Sequence, residues 1–259
     1  MPSLIRFFGT SAAVPSIRRG FACIGLVSQA NSENEEILLL DCGDGSIRKI
    51  METNTNCLGI SSILITHFHS DHLSGLAQII ESMAINRRKK DLSVYGPRGL
   101  KNYYTIVQET TNFAFKRNFE IKVHELETGQ KILLGENKVT TIAMQHTIPC
   151  LGYRLESPDF LLAYTGDTEP CNGAISLAQN ADLLIHEATY LEKDKIKARE
   201  SKHSTPREAC ETSNKARGVR KIILTHVNDK LETEQEMLEE AGKFHSDVRV
   251  AHDGMEVSP

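Results

Sequence analysis

The chain has 259 residues, of which 40% are hydrophobic and 25% charged, enough for a full hydrophobic core, and we read residues 1–259 as a single domain. Its net charge of −4 gives no global attraction for a polyanion, so any nucleic-acid contact must be local. No apolar run approaches the ~20 residues that span a bilayer, and MPSLIRFFGT at the N-terminus lacks a basic region followed by a long apolar one, so the expectation is a cytoplasmic protein without a membrane segment.

In chain order, Ile5 to Phe8 and Cys23 to Val27 read as strands around the loop GTSAAVPSIRRG. Ile37 to Leu40 is another strand, ending in Asp41, after which Asp44 is the expected N-cap of a helix running to about Met51. Ile63 to Ile65 has the look of a buried strand. Leu73 to Ala84 follows with helical spacing, Leu76, Ile79, Ile80 and Met83 on one side, closed by the basic run Arg87-Arg88-Lys89-Lys90. Leu92 to Tyr95 is a short strand. Pro97 followed by Leu100, Tyr103, Tyr104 and Val107 suggests a helix that starts with the proline near its first turn. Phe119 to Leu126 alternates as a strand with His124 exposed, and Val139 to Met144 is the next strand. Leu161 to Tyr164, Ala181 to Ile185 and Ile222 to Leu224 are short apolar strands, with helices near Thr205 to Ala216 and Glu232 to Lys243. The pattern is α/β, sheets covered by helices. Cys23, Cys42, Cys57, Cys150, Cys171 and Cys210 form no CxxC pair, which suits reduced and mostly buried thiols.

The densest chemistry lies in SSILITHFHSDHLSGLA, where His67, His69, Asp71 and His72 fall within six residues directly behind a buried strand. In nearly extended backbone His67 and His69 point to the same side, so one cation can be held by both imidazoles. Asp71 and His72, after a turn, face a second position. Further strands also end in an acid or a histidine: Asp41, His146, Asp167, the pair His186-Glu187, and His226. Loops at strand ends are where a rigid sheet presents ligands to a shared cleft. His67, His69, Asp71, His72, His146, Asp167 and His226 together suffice for two cation sites if one carboxylate bridges. Two ions about 3.5–4 Å apart can generate hydroxide and stabilise the leaving oxygen of a displacement. For Asp41 two roles stand side by side, orienting an imidazole and plain turn chemistry.

The order HxHxDH, His, Asp, His is similar to that of the metallo-β-lactamase superfamily. The resemblance implies an αββα sandwich of two mixed sheets flanked by helices, with one ion on His67, His69 and His146, the other on Asp71, His72 and His226, and Asp167 between them. The strings FFGTSAAVPS, LLDCGDGSIRKI, ITHFHSDHLSGL, HTIPCLGYR, AYTGDTEPC, LLIHEATY, HSTPREA, ILTHV and AHDGME, from residue 7 to residue 256, further resemble the ribonuclease Z family. Its members are endonucleases that trim the 3′ end of precursor tRNA. The distinguishing pieces are HEAT, His186 to Thr189, and HST, His203 to Thr205.

The resemblance implies a hydroxide between two cations attacking phosphorus in line, with Asp71 orienting the nucleophile or taking its proton. It also implies that His203 protonates the leaving 3′-oxygen and that Glu187 holds that imidazole charged and aimed. His186 stays in the surroundings of the site. The ions implied are two divalent cations, zinc foremost, with manganese or iron also accepted by imidazole and carboxylate. The implied assembly is a homodimer.

This sequence also departs from the family pattern. Only 21 positions separate His146 from Asp167, an interval that in many ribonuclease Z enzymes holds a long arm gripping tRNA. The family's PxKxRN loop has Ile17 and Gly20 here in place of lysine and asparagine, and VNDKLET after His226 lacks the usual serine and arginine-tyrosine. Candidate basic patches are Arg18-Arg19, Arg87 to Lys90, and Lys193, Lys195, Lys197, Arg199 and Lys202. Three readings follow: an armless precursor-tRNA endonuclease; a hydrolase of small phosphodiesters or sulfate esters with the same metal centre; and a non-catalytic RNA-binding scaffold.

Overall fold

The computed structural model describes residues 3–30, 32, 35–111, 117–229 and 234–259, arranged as two compact units. The first comprises β1 (Leu4–Gly9), β2 (Cys23–Ser28), β3 (Glu36–Leu40), α1 (Ser46–Glu52), β4 (Ile60–Leu64), α2 (Ser70–Leu73), α3 (Leu76–Ile85), β5 (Leu92–Pro97), α4 (Leu100–Thr111) and β6 (Ile121–Leu126). Its sheet runs in sequence order from β1 to β6, and the C-terminal strand Glu256–Val257 pairs outside β1. β1, β2 and β3 are antiparallel, whereas β3 to β6 are parallel. Parallel strands bury both faces, which is why β3 reads as a nearly continuous apolar run and β4 is buried at four of its five positions. Since β3 and β4 run the same way, Asp41 and the His67 to His72 loop emerge at one edge, the carboxyl edge where open α/β sheets bind ligands.

Leu76, Ile79, Ile80 and Met83 of α3 are fully buried in one cluster with Ile50 of α1 and Leu39 and Ile63 of the sheet. Each such side chain stabilises the fold by about 1.5–3 kcal/mol. The helix expected over Leu73 to Ala84 begins only at Leu76, and Leu73 closes a separate short helix, α2. The Gly75 amide donates to the Cys42 carbonyl at 2.9 Å, and a Cβ there would lie 2.2 Å from the Gly43 oxygen, so the backbones touch and the helix is interrupted. The N-cap of α1 is Gly45 at φ +74°, not Asp44, and no side chain caps it. Left-handed backbone at that position favours glycine.

The second unit contains β7 (Lys131–Leu134), β8 (Asn137–Met144), β9 (Cys150–Glu156), β10 (Leu161–Tyr164), α5 (Asn172–Ala178), β11 (Leu183–Glu187), α6 (Lys195–Glu200), α7 (Pro206–Ala216), β12 (Lys221–Thr225), α8 (Glu234–Ala241) and β13 (Val248–Val250). β7 to β10 form an antiparallel meander and β10 to β13 are parallel. β8 therefore points the same way as β10, β11 and β12. The segments bearing His146, Asp167, Glu187 and His226 all leave the sheet at one edge. α7 starts with a full capping box between Thr205 and Glu208 and with Pro206 in its first turn. The expected helix start at Glu232, and the last four residues of VNDKLET, lie outside the described residues. Ser157 N–H donates to the Phe160 carbonyl at 2.9 Å, so β9 and β10 are joined by a tight turn. No helix is long and apolar enough to cross a membrane among the described residues.

Candidate metal centre

In the first unit Asp41 stands at φ +60°, fully buried at the end of β3. Its carboxylate accepts the Thr66 N–H at 2.7 Å, the Thr66 hydroxyl at 2.9 Å and the His72 Nδ1–H at 2.8 Å. The one hydroxyl proton of Thr66 goes to Asp41, so its oxygen accepts from His67 Nδ1, 2.9 Å away. Both imidazoles are thereby fixed in the tautomer that leaves Nε2 deprotonated, the arrangement typical of metal-ligating histidines. Nε2 of His67 lies 3.1 Å from Nδ1 of His69, and Nε2 of His72 lies 3.6 Å from Asp71 Oδ2. Ligands on one tetrahedral zinc with bonds of 2.0–2.1 Å are separated by about 3.3–3.4 Å. The donor set fits a divalent cation.

The second unit repeats the scheme. Asp167 is buried after β10, its Oδ2 3.8 Å from His146 Nε2 and 3.5 Å from His226 Nε2. His146 Nδ1–H donates to the Lys202 carbonyl at 3.0 Å. Burial pushes the His146 imidazole below its ordinary pKa despite the Asp167 charge, favouring the neutral ring a metal requires. His226, at φ +57°, faces Thr189 Oγ1 at 2.8 Å; that hydroxyl donates to Glu187 at 2.7 Å and so accepts from His226 Nδ1.

Glu187 itself is wholly buried. It accepts the N–H groups of Thr168 (2.9 Å), Thr189 (3.3 Å) and Ser204 (3.2 Å), and His203 Nδ1–H at 2.7 Å. Burial raises this carboxyl's pKa, but the His203 charge and hydrogen bond overcome it, and the group stays below the usual carboxylate range. The His203 ring is stacked on His226 at a centroid distance of 5.3 Å, and Asp167, His203 and His226 form a group whose potential ligand atoms lie within 4.8 Å. His186 is different: fully buried, it meets its neighbour's carbonyl through Nδ1 at 2.7 Å, and Nε2 has no hydrogen-bond partner among the described residues. Burial drives it toward the neutral form.

Residues 37–227 match the family described as "Beta-lactamase superfamily domain". The chain is 31% identical to "Ribonuclease Z" of Gemmatimonas aurantiaca over 99% of this chain and 96% of the relative. The chain belongs to the ribonuclease Z family. A second relative, "Ribonuclease Z" of Methanothermobacter thermautotrophicus, is 31% identical over 98% of this chain and 95% of its own length. The crystal structure of human tRNase Z, short form (ELAC1), superposes with a TM-score of 0.83 at 27% identity, covering 99% of both chains. This ribonuclease Z family member thus has the metallo-β-lactamase fold and is a metal-dependent hydrolase.

The aligned span of 311 positions with the Gemmatimonas aurantiaca ribonuclease Z exceeds the 259 residues here. Between His146 and Asp167 stand β9, the turn from Ser157 to Phe160, and β10. Several cations of the basic patches are engaged within the fold. Arg88 is a buried strut, donating to the carbonyls of Leu58, Lys90 and Asp91. Arg19 is buried against Thr10 and the Ala251 carbonyl, and Arg18, 79% exposed, pairs with Asp229. Sequence reasoning passed over Thr66, Thr189 as a hydrogen-bond relay, and the Lys202 carbonyl. Hydroxyls and carbonyls are too common in a sequence to signal themselves, although Thr189 falls inside the HEAT string.

Proposed function

We propose that this protein is an endoribonuclease that removes the 3′ trailer of precursor tRNA. The observation that carries the reading is the buried Glu187 receiving His203 Nδ1–H at 2.7 Å beside Asp167, because a hydrolase that must expel an unactivated 3′-oxygen needs a proton donor next to its metal ligands. In this reading the two units act as one domain. His67, His69 and His146 would hold one divalent ion and Asp71, His72 and His226 a second, with Asp167 available as a further ligand. Zinc is the best match to the donor set. When bound, two such ions supply Lewis acidity toward the phosphoryl oxygens and lower the pKa of water.

The chain's own residues do the rest. Asp71 orients the attacking water and receives its proton. The new bond forms from that oxygen to phosphorus, and the bond from phosphorus to the 3′-oxygen breaks. With Nδ1–H committed to Glu187, His203 presents Nε2–H to the departing oxygen. The products are a tRNA with a 3′-hydroxyl and a trailer with a 5′-phosphate. Asp41, Thr66, Thr189 and the Lys202 carbonyl keep the ligating imidazoles in tautomer and orientation. We place the protein in the cytoplasm as a homodimer on its kinship with ribonuclease Z.

The short β9–β10 turn favours one competing reading, a hydrolase of small phosphodiesters. Purified protein is incubated with Zn²⁺ or Mn²⁺ and either a precursor tRNA or a chromogenic phosphodiester. Cleavage after the discriminator nucleotide supports the ribonuclease reading. Turnover of the small ester with intact precursor overturns it in favour of the smaller substrate, and no turnover of either by metal-loaded protein leaves the scaffold reading.

A further inference from the structure

Lys202 combines three features. It is the residue after the C-cap of α6 and sits at φ +54°, a left-handed conformation where glycine is the usual occupant. The hydrogen bonds there are those of a Schellman turn: Lys202 N–H to the Arg199 carbonyl at 3.2 Å and His203 N–H to the Ala198 carbonyl at 2.8 Å. The Lys202 carbonyl holds His146, and the next residue is His203, so the lysine side chain starts one residue from the proposed proton donor.

The other cations of the same run are paired. Lys193 meets Glu236 at 3.0 Å, Lys195 meets Glu192 at 2.7 Å, Lys197 meets Asp194 at 2.6 Å, and Arg199 pairs with Glu208. Lys202, half-buried, has no carboxylate within ion-pairing distance among the described residues. A glycine would suit the turn better, since the steric cost of a left-handed lysine exceeds what its charge gains from the helix C-terminus. What distinguishes Lys202 from other cations at helix ends is its place, directly before His203 and with its carbonyl on His146.

We propose that the Lys202 ammonium contacts a backbone phosphate of the RNA next to the scissile linkage and contributes affinity for the substrate. This rests on the ribonuclease reading above. A lysine contact to phosphate is a point-charge interaction that releases counterion and leaves the chemical step to other groups.

The test compares Lys202→Met with Lys202→Arg. Both keep a side chain in the left-handed turn and the carbonyl on His146, so they differ in charge. With zinc-loaded protein and a precursor tRNA, K202M is expected to raise KM about tenfold with less than a threefold fall in kcat. The slope of log K against log salt should become shallower by about 0.7–0.9. K202R should restore both. Zinc content, read by competition with a chromophoric chelator, should match wild type in each. Lys202→Gly should unfold about 2–4 °C higher yet bind RNA as weakly as K202M. Wild-type KM and salt slope in K202M, or equal weakness in K202R, would overturn the proposal. Failure of the wild-type protein to bind or cut precursor tRNA would overturn the ribonuclease reading itself and this inference with it.

Discussion

Asp41→Asn is the sharpest probe of how the metal ligands are held. The carboxylate takes three donors, two on Oδ2 and one on Oδ1. An asparagine turns one of those oxygens into an NH2 group, so whichever way it is placed a buried donor faces a donor. That mismatch costs about 1–3 kcal/mol, and the hydrogen bonds that remain lose roughly half their strength without the charge. The sum is about 2–4 kcal/mol. Asparagine tolerates the φ of +60°, so the backbone is undisturbed, whereas Asp41→Ala adds about 1–2 kcal/mol of strain. Loss of the partner that orients His72 should weaken zinc by about 10–100-fold. Zinc affinity is read by competition with a chromophoric chelator, and stability by urea unfolding of the metal-free protein. Zinc binding within twofold of wild type, with an unmoved urea midpoint, would refute the argument that Asp41 fixes the tautomer of His72.

Glu187→Gln should lower kcat for precursor tRNA by about 10²–10⁴-fold with little change in KM, read by steady-state kinetics; an equal rise in KM would make Glu187 a substrate contact. The lowered Glu187 carboxyl stabilises the fold above its ordinary value of 4.5, and that contribution is lost as pH falls through its lower folded value. Acid unfolding of E187Q, followed by circular dichroism with chelator present, should therefore be less steep below pH 4.5, and an unchanged profile counts against the Glu187–His203 pair. Zinc at about 100 times its dissociation constant should add about 2.7 kcal/mol, raising the melting temperature of chelated protein by roughly 5–10 °C in a calorimetric scan. Burial pushes the Cys23 and Cys210 thiols up to about 12, and Cys42 and Cys150 are also buried. A disulfide reagent at pH 8 should label Cys57 and Cys171 and spare the other four until the protein is unfolded.

Local pattern made much of this legible. The apolar runs marked β2, β3, β5, β10 and β12, and the spacing of Leu76, Ile79, Ile80 and Met83 marked α3, because burial on one face leaves a period in the sequence. The four metal-type side chains of the His67 to His72 loop were visible for the same reason, being close along the chain. β7, β13 and the two-residue final strand were not anticipated, since edge strands of two to four residues are too short to show a period, and β9 was missed because burial on both faces leaves no alternation. The break between α2 and α3 escaped because it is caused by Gly43, which meets Gly75 from 32 positions away.

Residue chemistry, then, was decided by the sequence: which side chains can hold a cation, which can carry a proton, and on which strand ends they stand. Only the tertiary structure decided their states. Thr66 donates its hydroxyl hydrogen to Asp41 in a hydrogen bond and Thr189 donates its own to Glu187, and these two hydroxyls set which nitrogen of His67 and His226 is left unprotonated. It also separated Arg88, a strut whose Nε, Nη1 and Nη2 each donate to a carbonyl, from Lys202, a cation with no carboxylate within ion-pairing distance among the described residues. A tautomer or an ion pair depends on atoms a few ångströms apart in space, and that proximity exists only after parallel strands have brought distant segments to a common edge.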